Sequence, residues 1–248
     1  MSHSKQIALV TGANKGLGLE IARQLSKKGV NVILSARNKE KGQIAVAQLR
    51  GEGVETDFLK LDVTDREDIQ NAKAYIEATH GKLDILINNA GISKEKTASY
   101  AVNTSRVVEI EMIKVVYETN VFGAIALTQA LLPLLEKSDN GRIINVSSEL
   151  GSLELHADNM SPVYQLKKFA YNSSKTVLNQ FTVHLAEALK DTHVKINSVS
   201  PGWVKTDMGS QYAPLEIPDG AKIIVDVALS NDMPNGSFIT HEGRRIPW

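Results

Sequence analysis

From Gln6 to Lys28 the chain passes from an apolar run, through a turn punctuated by glycines, to an amphipathic stretch. Gln6-Ile7-Ala8-Leu9-Val10 reads as a short buried strand, and Leu17, Ile21, Ala22 and Leu25 recur at helical spacing through to Lys28. The turn between them is Thr11-Gly12-Ala13-Asn14-Lys15-Gly16-Leu17-Gly18. Gly12 supplies the backbone freedom of a tight turn. Gly16 has no side chain to hold a pyrophosphate off the backbone, and Gly18 lets the helix pack close to the strand. The start of the helix offers free N–H groups and partial positive charge to phosphate oxygens. Three glycines alone are also what a plain turn contains. In the order strand, loop, helix they point to nucleotide binding through Gly12, Asn14, Lys15, Gly16, Leu17 and Gly18.

Strand-like and helix-like segments then alternate, which implies parallel β-α-β units. Strands are expected at Val30 to Ser35, Thr56 to Leu61, Leu83 to Ile87, Arg142 to Ser147, Val194 to Ser200 and Gly236 to Thr240. Helices are expected from an Asn38 cap to about Arg50, from Asp65 to Thr79, from about Val107 with a bend through Asn120 to Leu135, from Ala170 to Leu189, and from Asp219 to about Leu229. Ser93 to Ser105 reads as a polar loop and Glu149 to Lys168 as irregular. The expected fold is α/β, a Rossmann-type doubly wound parallel sheet of about seven strands flanked by helices. One domain spans 1–248, with a nucleotide-binding part at about 5–147 and a catalytic and substrate part at about 148–248. Its 248 residues suffice for one sizeable core.

Composition narrows the partners. Lys plus Arg and Asp plus Glu are both 28, so no charge excess invites nucleic acid or an anionic membrane. Cysteine is absent, which removes disulfides and thiol chemistry and fits a reducing compartment. No His, Asp or Glu spacing suggests a metal. Met1 to Lys5 lacks the apolar core of a signal peptide, and no apolar run is expected to approach the ~18 residues of a membrane helix. The expectation is a cytoplasmic protein acting on a small molecule.

In a doubly wound sheet the ligand lies at the carboxyl ends of the strands. Distinctive residues stand there: Arg37, Asp62, Asn89, Ser148 and Pro201-Gly202. An NAD site usually places an acid at the end of strand two, but Ala36-Arg37 stands there. Arg37, with Lys15 in the glycine loop, can hold the 2′-phosphate of NADP, although both also read as solvated surface cations. Asp62-Val63 is placed to meet the adenine, or belongs to the cap of the next helix.

Tyr171 and Lys175, four apart, share one helical face. A free tyrosine titrates near ~10, and a neighbouring ammonium is expected to lower that value. Tyr171 then donates a proton to a carbonyl oxygen as hydride arrives, and takes it back in reverse. Ser148 holds the same oxygen, Lys175 also binds the nicotinamide ribose, and Asn120 anchors a water leading to Lys175. Tyr164 and Lys168 repeat the spacing but lie beside Pro162, before the strong helix begins.

These motifs together, with Asn88-Asn89-Ala90-Gly91 and Ser147-Ser148, resemble the short-chain dehydrogenase/reductase superfamily along nearly the whole chain. The resemblance implies a catalytic tetrad on Asn120, Ser148, Tyr171 and Lys175. Asn14-Lys15-Gly16, Ala36-Arg37, the run Pro201 to Met208 and Trp248 are similar to the NADPH-dependent carbonyl reductases. That similarity adds Asn89, Ala90, Gly91, Pro201 and Gly202 to the cofactor residues. Val204 would meet the carboxamide through its backbone and Thr206 the phosphates, and Ser148, Tyr171 and Trp203 would face substrate. The implied activity is reduction of aldehydes or ketones with NADPH. Oxidation of a specific secondary alcohol, or sensing of NADP without turnover, remain alternatives. Ser148 and Tyr171 are 23 positions apart, more than is ordinary in the superfamily but less than in animal carbonyl reductases, so monomer and homo-oligomer both stay open.

Overall fold

A computed structural model describes residues 5–95 and 105–248. Seven strands form one sheet: β1 (Ile7–Val10), β2 (Asn31–Ala36), β3 (Thr56–Lys60), β4 (Ile85–Asn88), β5 (Arg142–Val146), β6 (Lys195–Val199) and β7 (Phe238–Ile239). Their order is β3-β2-β1-β4-β5-β6-β7, and every neighbouring pair is parallel. The chain runs outward from β1 to β3, then returns to lay β4 on the other side of β1. That reversal opens a crevice above the carboxyl ends of β1 and β4.

Eight helices connect the strands: α1 (Gly16–Lys27), α2 (Lys39–Gly51), α3 (Arg66–His80), α4 (Ile110–Tyr117), α5 (Ala124–Leu135), α6 (Leu153–Ala157), α7 (Phe169–Ala188) and α8 (Ile217–Leu229). Strand residues alternate between the two faces, as a two-residue period demands. Ala8, Val10, Val32, Leu34, Ile144 and Val146 pack with α1, α2 and α8. Leu9, Ile33, Leu86, Ile143 and Ile196 pack with α3, α5 and the end of α7. Asn38 caps α2 by accepting from Lys41 N at 2.8 Å, and Asp65 caps α3 through Glu67 N at 2.8 Å.

Most element limits fall within two or three residues of the expected ones, the ordinary scale of end effects. One expectation is made more specific and two need correction. The bend near Asn120 is a π-helical turn, Glu118–Gly123, joining α4 to α5. The irregular stretch after Ser148 contains a single helical turn, Glu149–Gly151, and the short α6, each started by a serine oxygen. The helical run Ile110–Leu135 is 26 residues long and apolar enough to cross a membrane, contrary to the expectation that no run comes close. In this fold Leu127, Leu131, Leu134 and Leu135 of that run are core residues against the sheet and α3. Of the polar loop expected at Ser93 to Ser105, residues 96–104 lie outside the described part, as do Met1 to Ser4.

A polar spine crosses the α7 side of the sheet. Asn88 Nδ2 donates to Thr128 Oγ1 and to Asn145 Oδ1, both at 2.9 Å. Asn145 Nδ2 donates to Thr182 Oγ1 at 2.8 Å, and Thr182 Oγ1 meets Ser198 Oγ at 2.8 Å. All five residues are buried. Each bond holds an element that carries part of the crevice. Asn145→Leu would leave buried donors and acceptors unmatched on β4 and α7. It is expected to lower stability by about 2–4 kcal/mol, read as a lower urea midpoint at unchanged m-value. A loss below about 0.5 kcal/mol would show that the spine contributes little.

Candidate active site

The glycine turn is held by the strand it faces. Thr11 N donates to Ile87 O at 3.1 Å, and Thr11 Oγ1 accepts from Asn89 N and Ala90 N, both at 2.9 Å. Asn89 Nδ2 donates to Thr11 O at 2.7 Å and Gly12 O at 3.3 Å. The Asn89 amide therefore braces the turn. Gly12 sits at φ 62°, a left-handed conformation that favours glycine. A Cβ on Gly18 would stand 2.5 Å from Asn89 Nδ2 and 2.7 Å from Gly12 O, so no other residue fits there. The structure thus builds a close-packed strand–turn–helix cradle with backbone N–H groups at the start of α1, which suits a dinucleotide pyrophosphate.

Around this cradle stand the other residues expected to meet a cofactor. Arg37 is exposed just past β2, with no ion pair among the described residues. Lys15 forms an ion pair with Asp207 across the mouth of the crevice, and both side chains are largely exposed. Such a pair contributes little, so a phosphate can displace Asp207 from Lys15. Asp62 Oδ1 accepts from Thr64 N at 3.0 Å and Thr64 Oγ1 at 2.8 Å, and Val63 beside it is buried. Asp62 therefore forms a local turn, and the cap of α3 is Asp65. Gly202, at φ 75°, turns the chain after Pro201. Val204 is buried, and Thr206 reaches back to the glycine loop: a Cβ on Gly16 would lie 3.7 Å from Thr206 Cγ2. The loop from Pro201 to Leu215 thus lies against the cradle.

Tyr171 and Lys175 stand one turn apart on α7, with Lys175 Nζ 5.7 Å from the centre of the Tyr171 ring. Lys175 is buried and donates to Val146 O at 2.8 Å, at the end of β5. Ser148 follows β5, starts the next turn through Leu150 N at 3.2 Å, and interacts with the Tyr171 hydroxyl. Asn120 lies in the π-helical turn. Its Oδ1 accepts from Ile92 N at 2.8 Å, and its Nδ2 donates to Ile92 O at 2.9 Å and Ser174 Oγ at 3.0 Å. A Cβ on Gly91 would lie 3.5 Å from Asn120 Oδ1 and 3.6 Å from Lys175 Nζ, so both groups converge on that glycine. Tyr164 lies outside α7 with Lys167 Nζ over its ring at 4.2 Å, and Lys168 is the residue before α7.

The electrostatics correct one expectation. Desolvation pushes the Tyr171 phenol up to about 12, and Ser148 pulls it down by less. Desolvation also brings the Lys175 ammonium down to about 8. The lysine does not make Tyr171 a phenolate in this state of the protein. At neutral pH Tyr171 carries its proton and Lys175 its charge, the protonation state of a proton donor.

Exposed apolar side chains lie on two segments, the loop after β6 and α6. Trp203, Met208 and Tyr212 are exposed on the loop after β6, and Leu153 is exposed on α6. The Trp203 indole N–H donates to Gly209 O. Trp248 stacks on Phe238 with ring centres 5.3 Å apart, and its carbonyl accepts from Glu154 N at 3.2 Å. The carboxyl-terminal segment thereby braces α6 beside Ser148. Sequence reasoning missed Glu95. This buried residue accepts from Ala170 N and Tyr171 N at 2.9 Å each. No local signal marks it, because its partners are 75 and 76 positions away.

A cradle for a dinucleotide and a Ser-Tyr-Lys cluster at its far end define an oxidoreductase of the doubly wound class. A model of the short chain dehydrogenase family matches residues 6–216. The (+)-neomenthol dehydrogenase of Capsicum annuum is 35 % identical over 301 residues, covering 95 % of each chain. The NADPH carbonyl reductase 1 of Bos taurus is 32 % identical over 287 residues, covering 100 % of each. The NADPH-bound carbonyl reductase from chicken fatty liver matches with a TM-score of 0.85 at 27 % identity, over 99 % of this chain and 100 % of that one. The chain belongs to the short-chain dehydrogenase family.

Proposed function

We propose that this protein reduces aldehydes or ketones to alcohols with NADPH, using Tyr171 as proton donor. The observation that carries this reading is geometric: Tyr171 and Lys175 stand one turn apart on α7, Lys175 Nζ is 5.7 Å from the Tyr171 ring centre and fastened to Val146 O, and Ser148 follows at the end of β5. Bound NADPH supplies the hydride. Ser148 and Tyr171 converge on the carbonyl oxygen, which gains negative charge as the carbon is reduced. Two hydrogen-bond donors aimed there stabilise that charge, and Tyr171 passes its proton to the oxygen. Lys175 keeps two N–H groups beyond its bond to Val146 O for the nicotinamide ribose and for a proton path. Asn120 locks Ile92 and Ser174, and its remaining Oδ1 lone pair, close to Gly91, can hold a water between itself and Lys175.

Arg37 and Lys15 favour NADPH, since a 2′-phosphate adds negative charge where these cations stand and no acid follows β2. The exposed apolar side chains of Trp203, Met208, Tyr212 and Leu153 favour a substrate with a hydrophobic body. Curated relatives support the same class of chemistry, since those named above are a neomenthol dehydrogenase and an NADPH carbonyl reductase.

The test is NADPH oxidation against a panel of aldehydes, ketones and quinones, with NADH and Arg37→Ala run alongside. Turnover with NADPH and weak turnover with NADH is expected. Arg37→Ala is expected to raise KM for NADPH about 10–100-fold, the range for one charge-assisted contact, and to change KM for NADH by less than about threefold. A wild-type preference for NADH would overturn the cofactor assignment.

A further inference from the structure

We propose that Glu95 is a positioning residue for Tyr171. The proposal rests on Tyr171 as the proton donor and names a residue that sets where that donor stands. Helix α7 begins without help from its own sequence. Lys168 makes no side-chain cap, and no acidic residue lies in the first turn. The first N–H groups of a helix have no partner within it. Here Glu95 Oε1 takes Ala170 N and Oε2 takes Tyr171 N, each at 2.9 Å. The carboxylate is buried, and a negative charge at a helix start is favourable. Two charge-assisted bonds end on the turn that bears Tyr171, one of them on its own backbone nitrogen.

Glu95 is also tied to the rest of the site. Three residues earlier, Ile92 is clamped at both N and O by the Asn120 amide. Asn120 in turn reaches Ser174 Oγ, which donates to Tyr171 O at 2.7 Å. The segment from Ile92 to Glu95 therefore fastens Asn120 at one end and Tyr171 at the other. Without the carboxylate, two N–H groups at the start of α7 lose their acceptors, and the first turn can shift relative to Ser148. A displacement near 1 Å at a proton donor costs about a hundredfold in rate.

The experiment uses Glu95→Gln, which keeps the shape and one carbonyl acceptor, and Glu95→Ala, in the full chain. We expect kcat per NADPH-binding site to fall about 10–100-fold in Glu95→Ala and less in Glu95→Gln. NADPH affinity by fluorescence titration should stay within about twofold, because the two hydrogen bonds of Glu95 end on the start of α7 and not on the glycine turn. Amide exchange at Ala170 and Tyr171 should accelerate in both variants, a readout that needs no turnover. In a Tyr171→Phe background Glu95→Ala should add little further loss, since the two act as one unit. Unchanged kcat in Glu95→Ala, or equal losses of kcat and NADPH affinity, would overturn the proposal. If Tyr171→Phe keeps full activity, the proton-donor reading falls, and the proposal with it. Loss in Tyr171→Phe without loss in Glu95→Ala defeats the proposal alone.

Discussion

Replacing Tyr171 with phenylalanine is expected to lower carbonyl reduction about 10²–10⁴-fold while leaving NADPH affinity within about twofold, the range for loss of one positioned proton donor. The substitution removes one oxygen and keeps the ring in its place on α7. Steady-state NADPH oxidation measures the loss, and fluorescence titration of NADPH shows that the cradle is intact. A loss below about tenfold would mean that another group protonates the product oxygen. The same residue predicts an asymmetry with direction. Burial pushes the phenol up to about 12, so the proton donor is present at every ordinary pH. The reverse reaction needs the phenolate, whose population rises about tenfold per pH unit below that value. Alcohol oxidation should therefore climb with pH up to about 8, where Lys175 begins to lose its charge, whereas reduction should not follow Tyr171 at all.

Reduction should instead follow Lys175. Its ammonium is brought down to about 8 by desolvation, from an ordinary value of 10.5. Below pH 8 the group is charged and donates; above it the group becomes neutral. The kcat/KM for reduction is expected to be level below about pH 8 and to fall about tenfold per unit above it. Lys175→Arg should lose this alkaline limb, because guanidinium keeps its charge. The same shift has a consequence for stability. Between about pH 8 and 10.5 the unfolded chain binds more protons at this lysine than the folded chain, so stability rises with pH across that window. At neutral pH the folded state bears the cost of a buried charge. Lys175→Met, offset by the lost bond to Val146 O, is expected to stabilise the protein by about 1–3 kcal/mol at pH 7 while removing nearly all activity. Urea unfolding at pH 7 and pH 10 reads this directly. Marked destabilisation of the variant at pH 7 would show that Lys175 is solvated in the folded protein.

Much of this molecule is written in short stretches of the chain. The run from Ile7 to Gly18 shows a strand, a turn and a helix start because each obeys a local rule: apolar residues, glycine at φ 62°, then helical spacing. The alternation of apolar strands with amphipathic helices is equally local, and with right-handed crossovers it leaves few sheets besides the parallel one observed. The residue types at the strand ends were readable too. Arg37 and Ser148 stand out there as candidates by identity and by the strand they follow, and the Tyr171–Lys175 pair by its spacing on α7.

What stayed hidden depends on burial and on partners far away in the chain. Glu95 looked like one polar residue in a polar loop, until folding set it under Ala170 and Tyr171. Asn145 stood in an apparently apolar strand, and its bond to Thr182 spans 37 positions. Lys175 was expected to lower the titration of Tyr171 because it stands four residues away, but desolvation raises it and the group that opposes this is Ser148. The bend at Asn120 was visible as an interruption, whereas its π-helical form and the bonds of Asn120 to Ile92 appear only in the fold. Backbone propensity and hydrophobic period act over a few residues, so a linear reading captures them. Desolvation, capping from another loop and buried hydrogen-bond chains act only once distant segments meet, and in this protein they raise the titration of Tyr171 and cap the helix that bears it.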